Sequence, residues 1–231
     1  MKTSIIYEDN FLLICRKPAG LATQTAKVGQ QDMVSELKNY LAKKQETGKA
    51  PYLGIIHRLD QPVEGLLVFA KDKKTAAALT ASLEKGTLHK QYYAVVCGNP
   101  QKKTGELVDY LLSDMASGNV VMDAQADKGK KAVLQYRVIT QLSAPQPHAL
   151  LDIHIHTGRF HQIRIQMAHA GLPLLGDCRY GSAKSMQLSR MLGVPNVALC
   201  AYRIALIHPV TKRNMEFQIE PEGNIFRNIL S

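Results

Sequence analysis

The stretch HRLDQPVEGLLVFAKD, residues 57–72, decides the fold prediction and offers the first candidate for chemistry. Its second half contains the apolar run GLLVFA, which is typical of a buried strand. Its first half places His57, Arg58 and Asp60 in a polar loop directly before that strand. Because rigid scaffolds often carry functional groups on such loops, Asp60 is a candidate catalytic carboxylate. The same residue is equally typical of a turn or a helix N-cap.

Outward from this stretch, the apolar spacing predicts a mixture of strands and helices. Residues 4–15 are typical of a hairpin, and helices are predicted at 32–45 and 73–86. Residues 157–171 predict a turn followed by a helix that ends at Gly171. Further strands are predicted at 90–98, 132–139, 149–156, 198–208 and 215–219. Since regular βαβ units are absent from this order, we predict an α+β fold with one domain over 1–231.

Residues 99–130 are polar and predict turns rather than regular structure. Lys128, Lys130 and Lys131 form a basic cluster at the end of this segment. Such a cluster is typical either of a surface that faces a polyanion or of a solvated loop. The pattern leaves both interpretations open.

The overall charge indicates a polyanionic partner. The formal net charge is +10 and the isoelectric point is about 9.4, which favours nucleic acid. The sequence contains no stretch of about 18 apolar residues, so no membrane span is predicted. Its first residues do not resemble a secretory signal. We therefore expect a cytoplasmic protein. Its four separated cysteines, at 15, 97, 178 and 200, are expected to be free thiols.

A second stretch, HTGRFHQIRIQMAHAGLPLLGDCRYG at 156–181, is also rich in polar groups. On the predicted helix, His161, Arg164 and Ala168 share one face, and Phe160, Ile163, Met167 and Ala170 form another. A guanidinium projected from a helix can pair with a carboxylate elsewhere and keep it ionised, as a nucleophile requires. Arg164 is also typical of an ordinary structural ion pair.

These two stretches together resemble the motifs of the RluA-type pseudouridine synthases. HRLD followed by GLLVFAK is similar to the catalytic motif of that family, and TGRFHQIRIQMAHAGLPLLGDCRYG is similar to its downstream motif. The resemblance extends, in the expected order, to YEDNFLLICRKPAG, KQYYAVVCG, GKKAVLQYRV and LCAYRIALIHPVT. It therefore covers nearly the whole chain and implies the family's catalytic fold, a mostly antiparallel mixed sheet flanked by helices and loops.

The resemblance implies roles for individual residues. Asp60 matches the aspartate that begins cleavage of the uridine glycosidic bond, after which uracil is turned and rejoined through C5. Tyr92 matches a tyrosine that stacks on the target base, and Arg164 matches the arginine that pairs with the aspartate. Arg58 resembles an arginine that fills the gap left in the RNA. RNA contacts are expected from His57, Arg58, Lys90, Arg159 and His161.

The implied chemistry fits the composition. A base inside a helix must be flipped out before a carboxylate can reach its glycosidic bond, and flipped bases are held by aromatic stacking. Tyr92 and Tyr93 point to opposite faces of their strand, so only one can enter the site. The reaction is an isomerisation without redox change, so we expect no cofactor. RNA, either ribosomal or transfer, is the expected partner, and a monomer is the default expectation.

The chain departs from the family pattern in two places. Val63-Glu64-Gly65 replaces the usual Thr-Ser-Gly, and Phe160 replaces a threonine. Glu64 would raise the pKa of Asp60 if it pointed inward, but a loop glutamate more often points to water. The motif also begins within a few residues of the start, so no N-terminal S4 domain is expected.

Two other functions remain possible from the sequence. Asp152, His154 and His156 share one predicted strand face, and histidines two residues apart can bind zinc. More often such a strand has one polar and one buried face, and we expect no metal. A non-catalytic RNA-binding protein on the same scaffold is the second alternative, although binding alone does not require Asp60, Tyr92 and Arg164 together.

Overall fold

The computed structural model describes residues 2–25, 29–45, 50–114, 119–122 and 128–230. The elements in chain order are β1 (Ser4–Glu8), β2 (Leu12–Lys17), α1 (Met33–Gln45), β3 (Gly54–Ile55), β4 (Glu64–Ala70), α2 (Lys73–Glu84), β5 (His89–Cys97), β6 (Thr104–Asp114), β7 (Asn119–Met122), β8 (Lys130–Leu142), β9 (His148–Ile155), α3 (Gln162–His169), α4 (Ala183–Met191), β10 (Leu199–Ile207), β11 (Asn214–Gln218) and α5 (Asn224–Leu230). This mixture of mostly antiparallel strands and helices confirms the predicted α+β class.

The chain divides into two compact units. Unit 1 comprises Met1–Lys90 and Ala201–Pro221, and unit 2 comprises Gln91–Cys200 and Glu222–Ser231. Each unit therefore uses two separate stretches of sequence. No helix in the described parts of either unit is long and apolar enough to cross a membrane.

In unit 1 the central strand is β4, and all seven of its residues are buried. The predicted hairpin is confirmed: β1 pairs antiparallel with β2, and the Asp9 carboxylate accepts hydrogen bonds from the backbone N–H groups of Phe11 and Leu12 in the turn. On its other side β2 pairs antiparallel with β4, with Cys15 opposite Leu67. The strand that carries the first motif is thus fixed in the interior of its sheet.

In unit 2 five strands are ordered β5-β9-β8-β6-β7 and pair antiparallel. Here the prediction of turns was wrong for 104–114, which form the 11-residue strand β6, while 115–118 and 123–127 lie outside the described residues. Leu107 and Val108 of β6 lie opposite Leu134 and Val133 of β8. Exposure alternates along β6, with Thr104, Glu106 and Val108 on the exposed side, as in a sheet with one wet face.

The predicted helices are confirmed as α1, α2 and α3, but two further helices were not foreseen. The Asp72 carboxylate caps α2 by accepting from the N–H of Thr75, and Gly86 lies just beyond its end. The unforeseen helices are α4, which begins with a capping box between Ser182 and Ser185, and α5.

Helix α3 is not amphipathic as predicted. Ile163 and Met167 are buried, but Phe160 and Ala170 are exposed, and the polar residues Gln162, Arg164 and Gln166 are buried too. The Gln166 amide donates to the carbonyl oxygens of Leu107 and Ala132 and to Asp109. The helix is enclosed within unit 2, and its buried polar side chains find partners there. Its sequence therefore shows no separate polar face.

Candidate active site

The loop that carries Asp60 is tied to an earlier segment on both sides of that residue. Before it, the Thr23 hydroxyl donates to the carbonyl oxygen of Leu59 at 2.9 Å and accepts from its N–H at 3.3 Å. After it, the carbonyl oxygen of Gln61 accepts from the N–H of Gly20 at 2.8 Å, and the Gln61 amide donates to Gly20. Asp60 itself is half-buried, and its backbone carbonyl oxygen closes a turn by accepting from the N–H of Val63 at 3.0 Å.

Lys17 lies fully buried beside this loop, a position that no sequence pattern indicated. Its ammonium Nζ donates to the carbonyl oxygens of Pro18, Leu21 and Gln61, at 3.0, 2.7 and 3.0 Å. Burial lowers the pKa of Lys17 to about 7, and the nearby carboxylates of Asp60 and Glu64 oppose that shift. Lys17 therefore supplies both a mechanical support for the loop and a titratable charge close to Asp60.

Glu64 does not point to water as expected. It is the first residue of β4 and only 6% exposed. The Lys17 ammonium interacts electrostatically with it as well as with Asp60. The departure from the family pattern at this position is therefore an acidic group inside unit 1 rather than on its surface.

His57 and Lys90 are buried as well, which argues against the RNA contacts predicted for them. His57 accepts a hydrogen bond at Nε2 from the N–H of Val68, at 3.4 Å. Burial and then the nearby Lys90 lower the pKa of His57 well below its usual value, so the ring is neutral. Burial also lowers the pKa of Lys90 to about 8. Both side chains are better explained as internal groups of unit 1.

Of the two adjacent tyrosines, Tyr92 is the more enclosed. It lies on β5 opposite Ile153 of β9 and is 5% exposed. Tyr93 is opposite Asp152 and is half-buried. Their alternation along β5 sends the two rings to different faces of the sheet, as the sequence predicts.

Arg164 is buried in unit 2 and forms a bidentate ion pair with Asp177. Its Nε donates to Oδ2 at 2.7 Å and its Nη2 donates to Oδ1 at 2.8 Å. Burial alone would raise the pKa of Asp177, but the hydrogen bonds from Arg164 and from two backbone N–H groups lower it. The guanidinium also lies over the ring of Tyr180, 5.1 Å from its centroid. Asp177 was not foreseen, because a partner 13 residues away leaves no periodic signal.

The remaining predicted RNA contacts are more accessible. Arg58 and Arg159 are exposed, and Arg159 Nε donates to the carbonyl oxygen of Lys131 at 3.0 Å. His161 is half-buried and hydrogen-bonds through Nδ1 to the Tyr180 hydroxyl at 2.8 Å. Lys128, Lys130 and Lys131 are exposed. These groups lie where a polyanion can reach them.

The zinc alternative finds little support. The rings of His154 and His156 are 4.7 Å apart, and Asp152 forms an ion pair with Arg137 at 3.0 Å. Over the described ranges, no three histidine, cysteine or acidic side chains are grouped to hold a metal ion. Cys15, Cys97 and Cys200 are buried free thiols and Cys178 is an exposed one.

Comparison with solved structures shows the class of fold. A human protein described as RNA pseudouridylate synthase domain containing 4 superposes with a TM-score of 0.76 and 24% identity, covering 98% of this chain and 91% of its own. Human RNA pseudouridylate synthase domain containing 1 gives 0.74 and 19%, covering 95% and 83%. The chain therefore has the fold of a pseudouridine synthase catalytic domain.

Comparison of sequences then shows the family. The RNA pseudouridylate synthase family model matches residues 11–169. Ribosomal large subunit pseudouridine synthase D of Zymomonas mobilis is 34% identical over an alignment of 222 residues that covers 94% of this chain and 68% of that protein. The same-named protein of Pseudomonas aeruginosa is 33% identical, with 94% and 68% covered. An uncharacterised RNA pseudouridine synthase of Bacillus subtilis is 34% identical, with 90% and 65% covered.

The chain belongs to the RluA-type family of RNA pseudouridine synthases, as the resemblance implies. It is an RNA-modifying isomerase whose partner is RNA. It spans about two thirds of the length of these relatives.

Proposed function

We propose that this chain converts uridine to pseudouridine in structured RNA with Asp60 as the catalytic carboxylate. The observation that carries the proposal is the anchoring of Asp60, whose neighbours on both sides are hydrogen-bonded to residues 20–23. Because the chain is fixed on both sides of Asp60, its backbone keeps a constant position when a flipped uridine arrives. The same residue heads the motif by which the chain resembles its family.

The reaction requires Asp60 to be ionised. Two routes are open to it: the carboxylate attacks the sugar, or it removes a proton from it. Both lead to cleavage of the glycosidic bond, rotation of the detached uracil and formation of a bond to C5, from which a proton departs. Because a carboxylic acid can perform neither first step, nearby positive charge favours the reaction. The Lys17 ammonium, which interacts with Asp60, provides such charge.

We assign supporting roles to two residues of unit 2. Tyr92 stacks on the detached base and helps to remove the C5 proton, an assignment that rests on its match to the family motif. Arg164 favours the ionised form of Asp60. Its pair with Asp177 holds the planar guanidinium in one orientation, which Lys could not reproduce. We further propose that both units act together as one catalytic domain, since the family model includes residues of each.

Ribosomal RNA is the first candidate substrate, because several relatives are named for the large ribosomal subunit. Transfer RNA is the second. Exposed Arg58, Arg159 and Lys131 and the half-buried His161 are proposed contacts for the phosphates and bases. A cytoplasmic location and a monomeric state complete the proposal.

The test is tritium release from 5-tritiated uridine in ribosomal and transfer RNA. Asp60→Ala should abolish release, a loss of at least about 10³-fold, while RNA binding persists. Asp72→Ala is a matched control, since it removes a carboxylate that only caps α2 and should cost about 1 kcal/mol of stability without loss of activity. If the wild-type chain binds these RNAs and releases no tritium, the chain is a non-catalytic RNA-binding member of the family. Mapping of pseudouridine across cellular RNA, with and without the protein, would identify the site.

A further inference from the structure

An exposed aromatic stack stands at the start of α3. The ring of Phe160, which is 50% exposed, lies parallel to the His161 ring, with centroids 3.7 Å apart and planes inclined by 21°. Phe160 was predicted to share a helix face with Ile163 and Met167, but those two residues are buried whereas Phe160 is exposed. His161 covers one face of the Phe160 ring, so the opposite face of that ring is the part available to a ligand.

The stack is held rigidly from behind. His161 Nδ1 is hydrogen-bonded to the Tyr180 hydroxyl, and the two rings meet edge to face with centroids 5.5 Å apart. The Tyr180 ring in turn lies under the Arg164 guanidinium, which the bidentate pair with Asp177 fixes. A continuous set of contacts thus runs from the exposed ring to a buried ion pair. Such preorganisation lowers the entropy lost when a ligand binds.

The backbone of His161 is unusual in a way that capping does not explain. Its φ of +54° and ψ of +22° are left-handed, a conformation that costs a non-glycine residue about 1 kcal/mol or more. It occupies the N-cap position of α3, yet its side chain makes no capping hydrogen bond. Strained residues of this kind cluster at ligand-binding sites. Here the strain places the imidazole under Phe160 rather than over the helix end.

The surroundings of the stack are positively charged. Four exposed cations are close to the stack in sequence or by contact: Lys130, Lys131, Arg159 and Arg179. Arg159 donates to the carbonyl oxygen of Lys131, and the Arg179 guanidinium lies over the Tyr180 ring, 5.7 Å from its centroid. A flat apolar ring among cations is the combination that binds single-stranded nucleic acid, since the ring stacks on a base while the cations meet phosphates.

We propose that Phe160, backed by His161, is a stacking site for an unpaired base of the RNA substrate, separate from the target uridine that Tyr92 receives. The proposal rests on the proposed function for its ligand, and it assigns a substrate-positioning role to a residue at which the family pattern has threonine. The site is therefore a feature by which this chain selects its RNA.

The experiment measures binding of a 12-nucleotide oligouridylate that carries one central 2-aminopurine, whose fluorescence is quenched on stacking. Wild-type protein should bind and quench the probe. Phe160→Ala should bind about 10-fold more weakly and lose the added quenching, whereas Phe160→Trp should retain both. Phe160→Leu keeps an apolar side chain without a ring and should also lose the quenching. Tyr52→Ala, which removes another exposed aromatic residue, is the matched control and should behave as wild type.

The outcomes separate this proposal from the proposed function. Equal affinity and quenching for wild type, Phe160→Ala and Phe160→Leu would overturn the stacking site even if pseudouridine formation is intact. Absence of probe binding by the wild-type chain would overturn it as well. Conversely, normal Phe160-dependent quenching without any tritium release from uridine would support the stacking site and reject the catalytic role. Thermal unfolding of each variant checks that the fold is kept. If the smaller residues destabilise the fold, wild type is compared with Phe160→Trp, which should still bind and quench the probe.

Discussion

At the scale of single residues, the main findings are two buried charges that sequence patterns do not reveal. Lys17 is the last residue of the apolar strand β2, and only the folded structure places its ammonium among three carbonyl oxygens beside Asp60. Asp177 lies in a glycine-rich turn and is brought to Arg164 by the folding of unit 2. The sequence predicted that Arg164 would pair with a carboxylate, but the partner that the structure describes for it in unit 2 is Asp177.

Lys17 should make stability depend on pH. Its pKa in the folded chain, about 7, is below the ordinary value of 10.5, so between these values the unfolded chain binds more protons than the folded one. The free energy of unfolding should therefore rise as the pH increases from about 7 towards 10, and this contribution is absent below the folded pKa. Urea unfolding at pH 6.5, 8 and 9.5 measures it.

Lys17→Met is the comparison for that experiment. It should destabilise the protein by about 1–3 kcal/mol, because buried carbonyl groups lose a donor. The difference in the free energy of unfolding between wild type and variant should increase with pH. The contribution of Lys90 is common to both proteins and cancels. A difference that is constant over this range would show that Lys17 keeps its ordinary pKa.

The Arg164–Asp177 pair should contribute separately to stability and to activity. Arg164→Met or Asp177→Leu leaves the other charge buried without its partner, at a cost of about 3–5 kcal/mol. The double variant should regain a large part of that loss, as thermal or urea unfolding would measure. If Arg164 also serves Asp60, the restored double variant should still release tritium at least about 100-fold more slowly than wild type. Recovery of activity along with stability would limit Arg164 to a structural role.

At the scale of elements, β4 depends on a glycine where its strand begins. Gly65 has a φ of +137°, and a Cβ added there would lie 2.5 Å from the backbone nitrogen of Ala201 on β10. Both the conformation and the close approach exclude a side chain. The residue is also the one member of the Val63-Glu64-Gly65 triplet that keeps the family pattern.

Gly65→Ala should therefore be severely destabilising, by about 3 kcal/mol or more, since a backbone contact must shift. Gly86→Ala is the matched control: its φ is also positive, at +71°, but nothing lies within 4 Å of the added Cβ. It should cost only about 1 kcal/mol. Chemical unfolding of the two variants compares close packing with backbone strain, and equal losses would refute the steric explanation.

Strong periodic signals predicted most elements, and weak or conflicting ones account for the failures. The β1–β2 hairpin, β4 and α2 combine apolar spacing with turn or capping residues, so local and tertiary preferences agree. β6 was missed because polar residues occur on both of its faces, Glu106 on the exposed face and Asp109 on the other, so its sequence has no strand-like alternation. The stripe assigned to α3 failed because burial on all sides removes the contrast between faces on which such predictions depend.

At the scale of the whole molecule, the positive charge of the sequence correctly indicated a nucleic acid partner. A chain with net charge +10 should bind RNA with strong salt dependence, because cations released from the phosphates drive association. If about three to five phosphates are contacted, affinity for a single-stranded RNA should fall about 10- to 100-fold between 50 and 200 mM KCl. Filter binding over a salt series measures the slope of the logarithm of affinity against the logarithm of salt concentration. Replacing Lys130 and Lys131 by Gln should make it shallower, and an unchanged slope would place the RNA elsewhere.

The division into two units also constrains how the chain is made. The first 90 residues of unit 1 cannot be completed until Ala201–Pro221 are synthesised, whereas unit 2 lacks only a short helix once Cys200 has appeared. At ribosomal elongation rates this wait lasts about 6–25 s. During that time β4, with its seven buried residues, has no β10 beside it. One edge of this buried strand thus stays unpaired during synthesis, and the last strand pair to emerge completes unit 1.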